Sequence, residues 1–293
     1  MTSGVASRLT ERFFLGLPAW AYPGWKDSYF VDRPSRLASY ATVFGTVEGN
    51  TTFYRVPDAS TVRRWRDAVD GTPFRFCFKL PREVTHERVP SADTLHRFVA
   101  AMEPLSANLG PFLLQFPATV SPEDLMRFDA VFDAVSALNR FVIEVRHPGF
   151  FDDPDALGPA LARWQADRVV FDSRPLFQGD LSHPDALAAR HEKPDVPVVD
   201  RTPNGVTMVR LILHPALDTN DRWLDDWAER TAEKLLDGGT VYMMIHCPNN
   251  QHCPALAETF DRKLRERLPA GALAPLPPWP VPQQQTLLGD FIG

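Results

Sequence analysis

Glu48, Lys79, Glu144 and Asp172 each stand at or near the end of a short apolar run, and each can carry catalysis. Two carboxylates in different environments can divide acid and base roles. A lysine taken out of water can act as a Schiff-base nucleophile, or it can bind an anion or pair with a carboxylate. Trp20, Tyr22, Asn50, Tyr54, Arg146, His147 and Arg210 stand at comparable places in the sequence. Aromatic walls with a few cations suit a partly apolar anionic ligand, such as a sugar phosphate or a nucleotide. His86, His147, His214 and His246 also fall at or just after run ends. With Glu48, Glu144 and Asp172 they could hold a divalent metal for phosphodiester hydrolysis. The His246-Cys247 and His252-Cys253 pairs lack a standard zinc spacing. Cys77 reads as a small buried filler.

The elements that must position these groups are short strands alternating with amphipathic helices. Strand candidates are 13–20, 46–53, 74–81, 110–117, 140–147, 167–173, 206–213 and 240–247. Most are rich in Val, Ile, Phe and Leu, as strands buried on both faces must be. Ser121-Pro122-Glu123-Asp124 reads as a helix start, with a cap, a proline in the first turn and acids facing the dipole. Asp58 and Ser91 read as caps of two more helices. Eightfold alternation predicts an α/β fold, a single (β/α)8 TIM-type barrel over residues 1–268. No Gly-rich phosphate turn follows the first strand, which counts against an open doubly wound sheet. Residues 174–205 predict a long loop between strands six and seven, with a short helix near Asp185 to His191. Residues 269–293 form a proline-rich tail.

Side chains two apart on a strand share a face. Glu48, Asn50 and Thr52 therefore go together, as do Arg75, Cys77 and Lys79, and Glu144 and Arg146. Met208, Arg210, Ile212 and His214 form another such set, and Tyr242, Met244 and His246 the last. These faces should point into the barrel, with their charges toward the C-terminal mouth where barrel sites are built. The structural alternative is an ion network that only fills the interior. Glu48, Glu144 and Asp172 would then balance Lys79, Arg146 and Arg210, three against three.

Composition narrows the class. The chain has 293 residues, a formal charge of −6 and 44% hydrophobic residues, the mix of an ordinary globular protein. Three cysteines cannot make a disulfide framework and suit a reducing compartment. The first residues, MTSGVASRLTERFF, carry no apolar signal region, and no apolar run is long enough to span a bilayer. The expectation is a cytoplasmic protein without membrane partners. The acidic balance disfavours bulk coating of nucleic acid but leaves room for a local basic site.

Several segments together resemble one family. Gly16 with Trp20-Ala21-Tyr22-Pro23-Gly24-Trp25 is similar to an opening GTSGWxYxxW, with Leu17-Pro18-Ala19 in place of Thr-Ser-Gly. Glu48-Gly49-Asn50-Thr51-Thr52-Phe53-Tyr54 resembles ExNxTFY, with Gly49 where Ile or Val is usual. Phe76-Cys77-Phe78-Lys79-Leu80-Pro81 with Thr85-His86 resembles FxxKxP followed by TH. Leu109-Gly110-Pro111 with Gln115-Phe116-Pro117 resembles LGPxLxQxP, and Glu144-Val145-Arg146-His147 resembles an E-F-R-H segment. Asn249-Asn250 resembles a paired asparagine without its following glycine. These motifs resemble the YecE-like family (domain of unknown function 72) from about residue 13 to residue 260. The resemblance implies a TIM-type barrel and no settled activity.

Near the C-terminus, Gln285, Leu288 and Phe291 fit a QxxLxxF pattern similar to the peptides that dock on sliding clamps. The alternative is a terminal segment packing Leu287, Leu288 and Phe291 on its own barrel. The sequence therefore points to a hydrolase on a phosphate-containing substrate, a small anion or nucleic acid in repair. The catalytic set would be Glu48, Lys79, Glu144 and Asp172, with a divalent metal as the cofactor such a set could hold. A sugar or sugar-phosphate lyase or isomerase, and a non-catalytic ligand-binding barrel, are the alternative readings.

Overall fold

The computed structural model describes residues 9–280 except 27, 32, 33 and 154. The clamp-like residues Gln285, Leu288 and Phe291 lie outside them. Among the described residues the strands are β1 (Phe13–Leu17), β2 (Thr46–Gly49), β3 (Arg75–Phe78), β4 (Phe112–Gln115), β5 (Phe141–Glu144), β6 (Asp167–Arg168), β7 (Val170–Asp172), β8 (Val206–Ile212) and β9 (Thr240–His246). Each expected strand is present but shorter. The second, expected over 46–53, stops at Gly49 and Thr51–Tyr54 is a helical turn, so strand parity does not place Asn50 and Thr52. The sixth is broken into β6 and β7 at Val169.

All ladder pairings are parallel, in a six-stranded sheet of order β3-β2-β1-β9-β8-β7 and a three-stranded sheet of order β4-β5-β6. The expected closed ladder is therefore not present among the described residues. Only isolated bridges, Phe76↔Leu109 and Lys79↔Leu113, run between β3 and the β4 segment. The break at Val169 separates the sheets on the other side.

Between the strands lie α1 (Arg36–Ala41), α2 (Ala59–Ala68), α3 (Ala92–Met102), α4 (Asp129–Ser136), α5 (Gly158–Trp164), α6 (Pro184–Glu192) and α7 (Asp221–Leu236), and α8 (Cys253–Arg267) follows the last strand. The expected caps form. Asp58 accepts from the Thr61 N–H at 2.7 Å, Ser91 from the Thr94 N–H at 3.2 Å, and Asp124 from the Ser121 N–H at 2.9 Å. A 3-10 segment, Pro122–Phe128, precedes α4. In 174–205 a short helix, Arg174–Gln178, precedes α6, which covers the expected Asp185 to His191. The first part of the proline-rich tail packs back, with Trp279 edge-on to Tyr29 at 4.9 Å.

Two buried layers follow from strand parity. The larger joins the helices to one strand face, through Val47, Phe76, Leu114, Ile143, Leu211 and Met243 among others. The smaller contains no helical residue. It joins Phe14, Cys77, Leu113, Val142, Val169, Val206, Met208, Tyr242 and Met244, from the opposite strand faces. Two residues further along the same strands come Lys79, Gln115, Glu144, Phe171, Arg210 and His246. A period of two thus lays a polar tier on the C-terminal side of an apolar one. No described helix is long and apolar enough to cross a membrane.

Candidate functional site

Arg210 is the centre of the polar tier and is 4% exposed. Its Nε donates to Glu48 Oε2 at 2.8 Å and its Nη2 to Glu48 Oε1 at 2.9 Å, while its Nη1 bonds Glu144 Oε2. Glu144 also accepts from Arg146 Nε at 3.0 Å. Glu48 also meets His246 Nε2 at 3.0 Å and the Asn50 amide at 2.9 Å, and that amide is tied to the Pro18 carbonyl at 3.1 Å. Lys79 donates to Gln115 at 2.8 Å and sits 3.8 Å from the centre of the Phe53 ring. The Phe171 ring lies 5.6 Å from the Arg210 guanidinium and 5.9 Å from that of Arg146.

Local geometry explains part of this placement. β2 ends at Gly49, and a Cβ there would lie 2.4 Å from the Phe78 ring. Phe78 on β3 therefore fills the space that a side chain at position 49 would need. Thr52 then donates to the Lys79 carbonyl at 2.6 Å, holding the ends of the second and third strands in step.

The electrostatics split the groups by role. Burial alone would raise the Glu48 carboxyl, but Arg210 and His246 outweigh it and hold it well below the usual range. Burial likewise opposes the Glu144 anion, yet Arg210, Arg146 and Lys79 pull it down to about 2. These partners favour the anionic form of both carboxylates. For Lys79 it is the charged form that is disfavoured: burial and then Arg210 lower it to about 8, against the pull of Glu144 and Glu48. Burial lowers His246 despite Glu48, so the imidazole is neutral near pH 7 and donates its Nε2–H to the carboxylate. His86, lowered to about 4 by burial and then by Lys79, is neutral too.

Several expected residues lie elsewhere. Asp172 is fully buried on the opposite strand face, between the Arg174 guanidinium at 2.7 Å and the indole N–H of Trp227 at 2.7 Å. Its neighbour Phe171 takes the inward position, because the two alternate along β7. Trp20 packs edge-on against Trp65 at 5.4 Å, and Tyr22 leans on Trp25 at 5.6 Å. Tyr54 is 81% exposed. His147 accepts from the Gly149 N–H at 3.1 Å and caps the turn beyond β5. His214 is spent on the Asp180 carbonyl and the Ala216 N–H. Arg210, expected to touch ligand, has its bonds taken by two carboxylates. Among the described residues no three His, Cys, Asp or Glu side chains come together as a metal site requires.

Other residues enter unannounced. Phe53 and Phe171 supply the aromatic walls assigned to Trp20 and Tyr54, each one position before a residue that drew attention. Gln115 holds Lys79. Lys193 comes from the long loop, where the Ser173 hydroxyl donates to the Pro194 carbonyl at 2.8 Å and pins that turn to the end of β7. Burial, and next Arg210, lower the Lys193 ammonium, against Glu48. Only its position in the folded loop reveals it.

The fold and site define a parallel α/β protein with a charged cluster at the C-terminal ends of its strands. The chain belongs to the DUF72 family: the pattern described as "Protein of unknown function DUF72" matches residues 14–282. It is 31% identical over 280 residues to "UPF0759 protein YecE" of Escherichia coli (strain K12), covering 94% of this chain and 99% of that protein. The fold is similar to that of a DUF72 family protein from Enterococcus faecalis V583, at a TM-score of 0.64 and 19% identity, covering 87% of this chain and 95% of that one. It is also similar to a DUF72 family protein from Thermotoga maritima MSB8, at 0.61 and 19% identity, covering 87% and 99%.

Proposed function

We propose that the chain is a (β/α)8 barrel that binds a small phosphate-bearing substrate at the C-terminal ends of its strands and hydrolyses it. Closure is supported by the inner apolar layer, which draws on strands of both sheets, and by the bridges from β3 to β4. One observation carries the functional reading. Among the described residues Arg210 and Arg146 bond Glu48 and Glu144, and Lys79 and Lys193 are close enough to feel the same charges, four cations to two anions. Removing Asp172 from the cluster and adding Lys193 turns the balanced set of the sequence into a positive one. The two carboxylates satisfy Arg210 and part of Arg146, which leaves charge for an incoming anion. Such charge also favours a phosphoryl-transfer transition state, where negative charge spreads over oxygens.

A second reading rests on Lys79. An ammonium lowered to about 8 is partly neutral at cellular pH. A lyase or isomerase that forms a Schiff base with a sugar phosphate would use that neutral amine. Nucleic acid is a larger ligand with the same phosphate chemistry. A sliding clamp is the partner that Gln285, Leu288 and Phe291 would suit, on sequence grounds alone. Calorimetric saturation of a bacterial clamp by a peptide of residues 282–293 would support docking, and absence of saturation would remove it.

The test of the main reading is calorimetry with inorganic phosphate and glucose 6-phosphate, followed by a phosphate-release assay. Saturable binding that weakens at least tenfold in Arg146→Met and Lys79→Met is expected. Borohydride trapping of Lys79 with a sugar phosphate, without phosphate release, would favour the lyase. No binding of either anion at millimolar concentration would sink both.

A further inference from the structure

A second arginine is buried in this fold, and it has no counter-charge among the described residues. Arg168 ends β6 and is 2% exposed. It alternates with Val169 of the inner layer, so it projects to the helix side, away from the polar tier. Its Nη1 donates to the Phe150 carbonyl at 3.0 Å, and its guanidinium sits 4.8 Å from the centre of the Phe151 ring. Its Nη2 is buried and has no hydrogen-bond partner among the described residues. Neighbouring Asp167 makes no ion pair with it and instead accepts from the Asn204 N–H at 2.8 Å and the Val206 N–H at 2.9 Å. Burial lowers the Arg168 guanidinium to about 10, with no acid to oppose it. Arg210, buried to a similar depth, meets two carboxylates. A buried cation with neither a counter-ion nor full hydrogen bonding is costly, and folds retain one where something pairs with it.

Arg168 also lines a cavity of about 500 Å³ at the start of α5, a size within the range of small-molecule sites. Leu157 and Leu161 are apolar walls, and the strand-flanking segment Arg201 to Asn204 closes the other side. Asp155 stands at the rim, 80% exposed, and is engaged by Arg201. The cavity therefore joins an apolar body to a buried, unpaired cation.

We infer that this cavity is a second ligand site, taking a small amphipathic anion whose carboxylate or phosphate head pairs with Arg168 and whose hydrocarbon body lies on Leu157 and Leu161. The site is on the opposite face of the strands from the Arg210 cluster, so its ligand does not compete with an anion bound there.

Calorimetry and thermal shift of the full chain with octanoate, octyl phosphate, octanol and octylamine test it. At least one of the two anions is expected to saturate and raise the melting temperature, while octanol and octylamine bind at least tenfold more weakly. The tighter anion names the head group. Arg168→Met should weaken anion binding at least tenfold. Gly158→Leu keeps the arginine, and a Cβ there meets no atom within 4 Å, so the variant fills the cavity without a first clash. It should weaken binding as much, which keeps the test alive if Arg168→Met fails to fold. Failure of both anions to saturate would overturn the site, as would wild-type affinity in either folded variant.

Discussion

Arg210 and Glu48 stand 162 residues apart in the chain and meet in a two-pronged ion pair of 2.8 and 2.9 Å. Glu48 is on β2 and Arg210 on β8, both in the six-stranded sheet, and Glu144 on β5 belongs to the three-stranded one. One guanidinium thus ties the two sheets by charge where their ladders do not join. Geometry of this kind suits arginine and not lysine, whose ammonium cannot present parallel N–H groups.

Removing that guanidinium leaves two carboxylates buried without their main partner. Arg210→Met is therefore expected to destabilise the fold by about 3–5 kcal/mol. Arg210→Lys should recover less than half of the loss. Urea unfolding followed by tryptophan fluorescence checks both. A loss within about 0.5 kcal/mol for Arg210→Met, the range of ordinary surface changes, would mean that the pair adds nothing net.

The pH dependence of anion binding should follow Lys79. Its ammonium loses its proton near pH 8, so affinity for inorganic phosphate should fall as pH rises through that value. Lys79→Met should bind more weakly and lose this step. Stability runs the other way. The folded-state pKa is lowered below the ordinary value of 10.5, so the unfolded chain holds more protons between the two. Lys79 therefore makes stability rise with pH from about 8 to the ordinary lysine value. Titration of binding and of urea midpoints across that window separates the two signs.

How far the sequence reveals this site depends on what sets each position. Parity fixes Lys79, Glu144, Arg210 and His246, because each follows an inward apolar residue by two. The same rule separates Phe171 from Asp172, but an acid near a strand end draws attention that a phenylalanine does not. Trp20 lies in a loop and Tyr54 ends a single helical turn, Thr51–Tyr54, too short for a period to say which way a ring turns. Lys193 is invisible in the sequence because its approach depends on how the 174–205 segment folds back through Ser173 and Pro194. Closure of the strands rests on alternation in the sequence, while the break at Val169 depends on local hydrogen bonding that no residue type announces.

Asp172 provides the internal control. It accepts from Trp227 on α7 and from Arg174, on the side away from the cluster. Asp172→Asn should cost about 1–3 kcal/mol, since a charged acceptor is lost to a buried indole N–H and a guanidinium. Phosphate affinity in the folded variant should match the parent. Weakening as large as that of Arg146→Met would place Asp172 in the binding machinery after all.

Acid should act through Glu144 and Glu48. Both are held below their ordinary value of 4.5, Glu144 at about 2, so each contributes stability above that ordinary value. The contribution fades as pH falls below 4.5 and is gone once pH has passed through the folded-state value. Glu144→Gln removes one such anion. It should be less stable than the parent at pH 7, because Arg210 and Arg146 lose a partner, yet lose less on going from pH 5 to pH 3. Urea midpoints at these three values read both effects. Parallel acid profiles in parent and variant would mean that Glu144 is already protonated, which the three cations around it oppose.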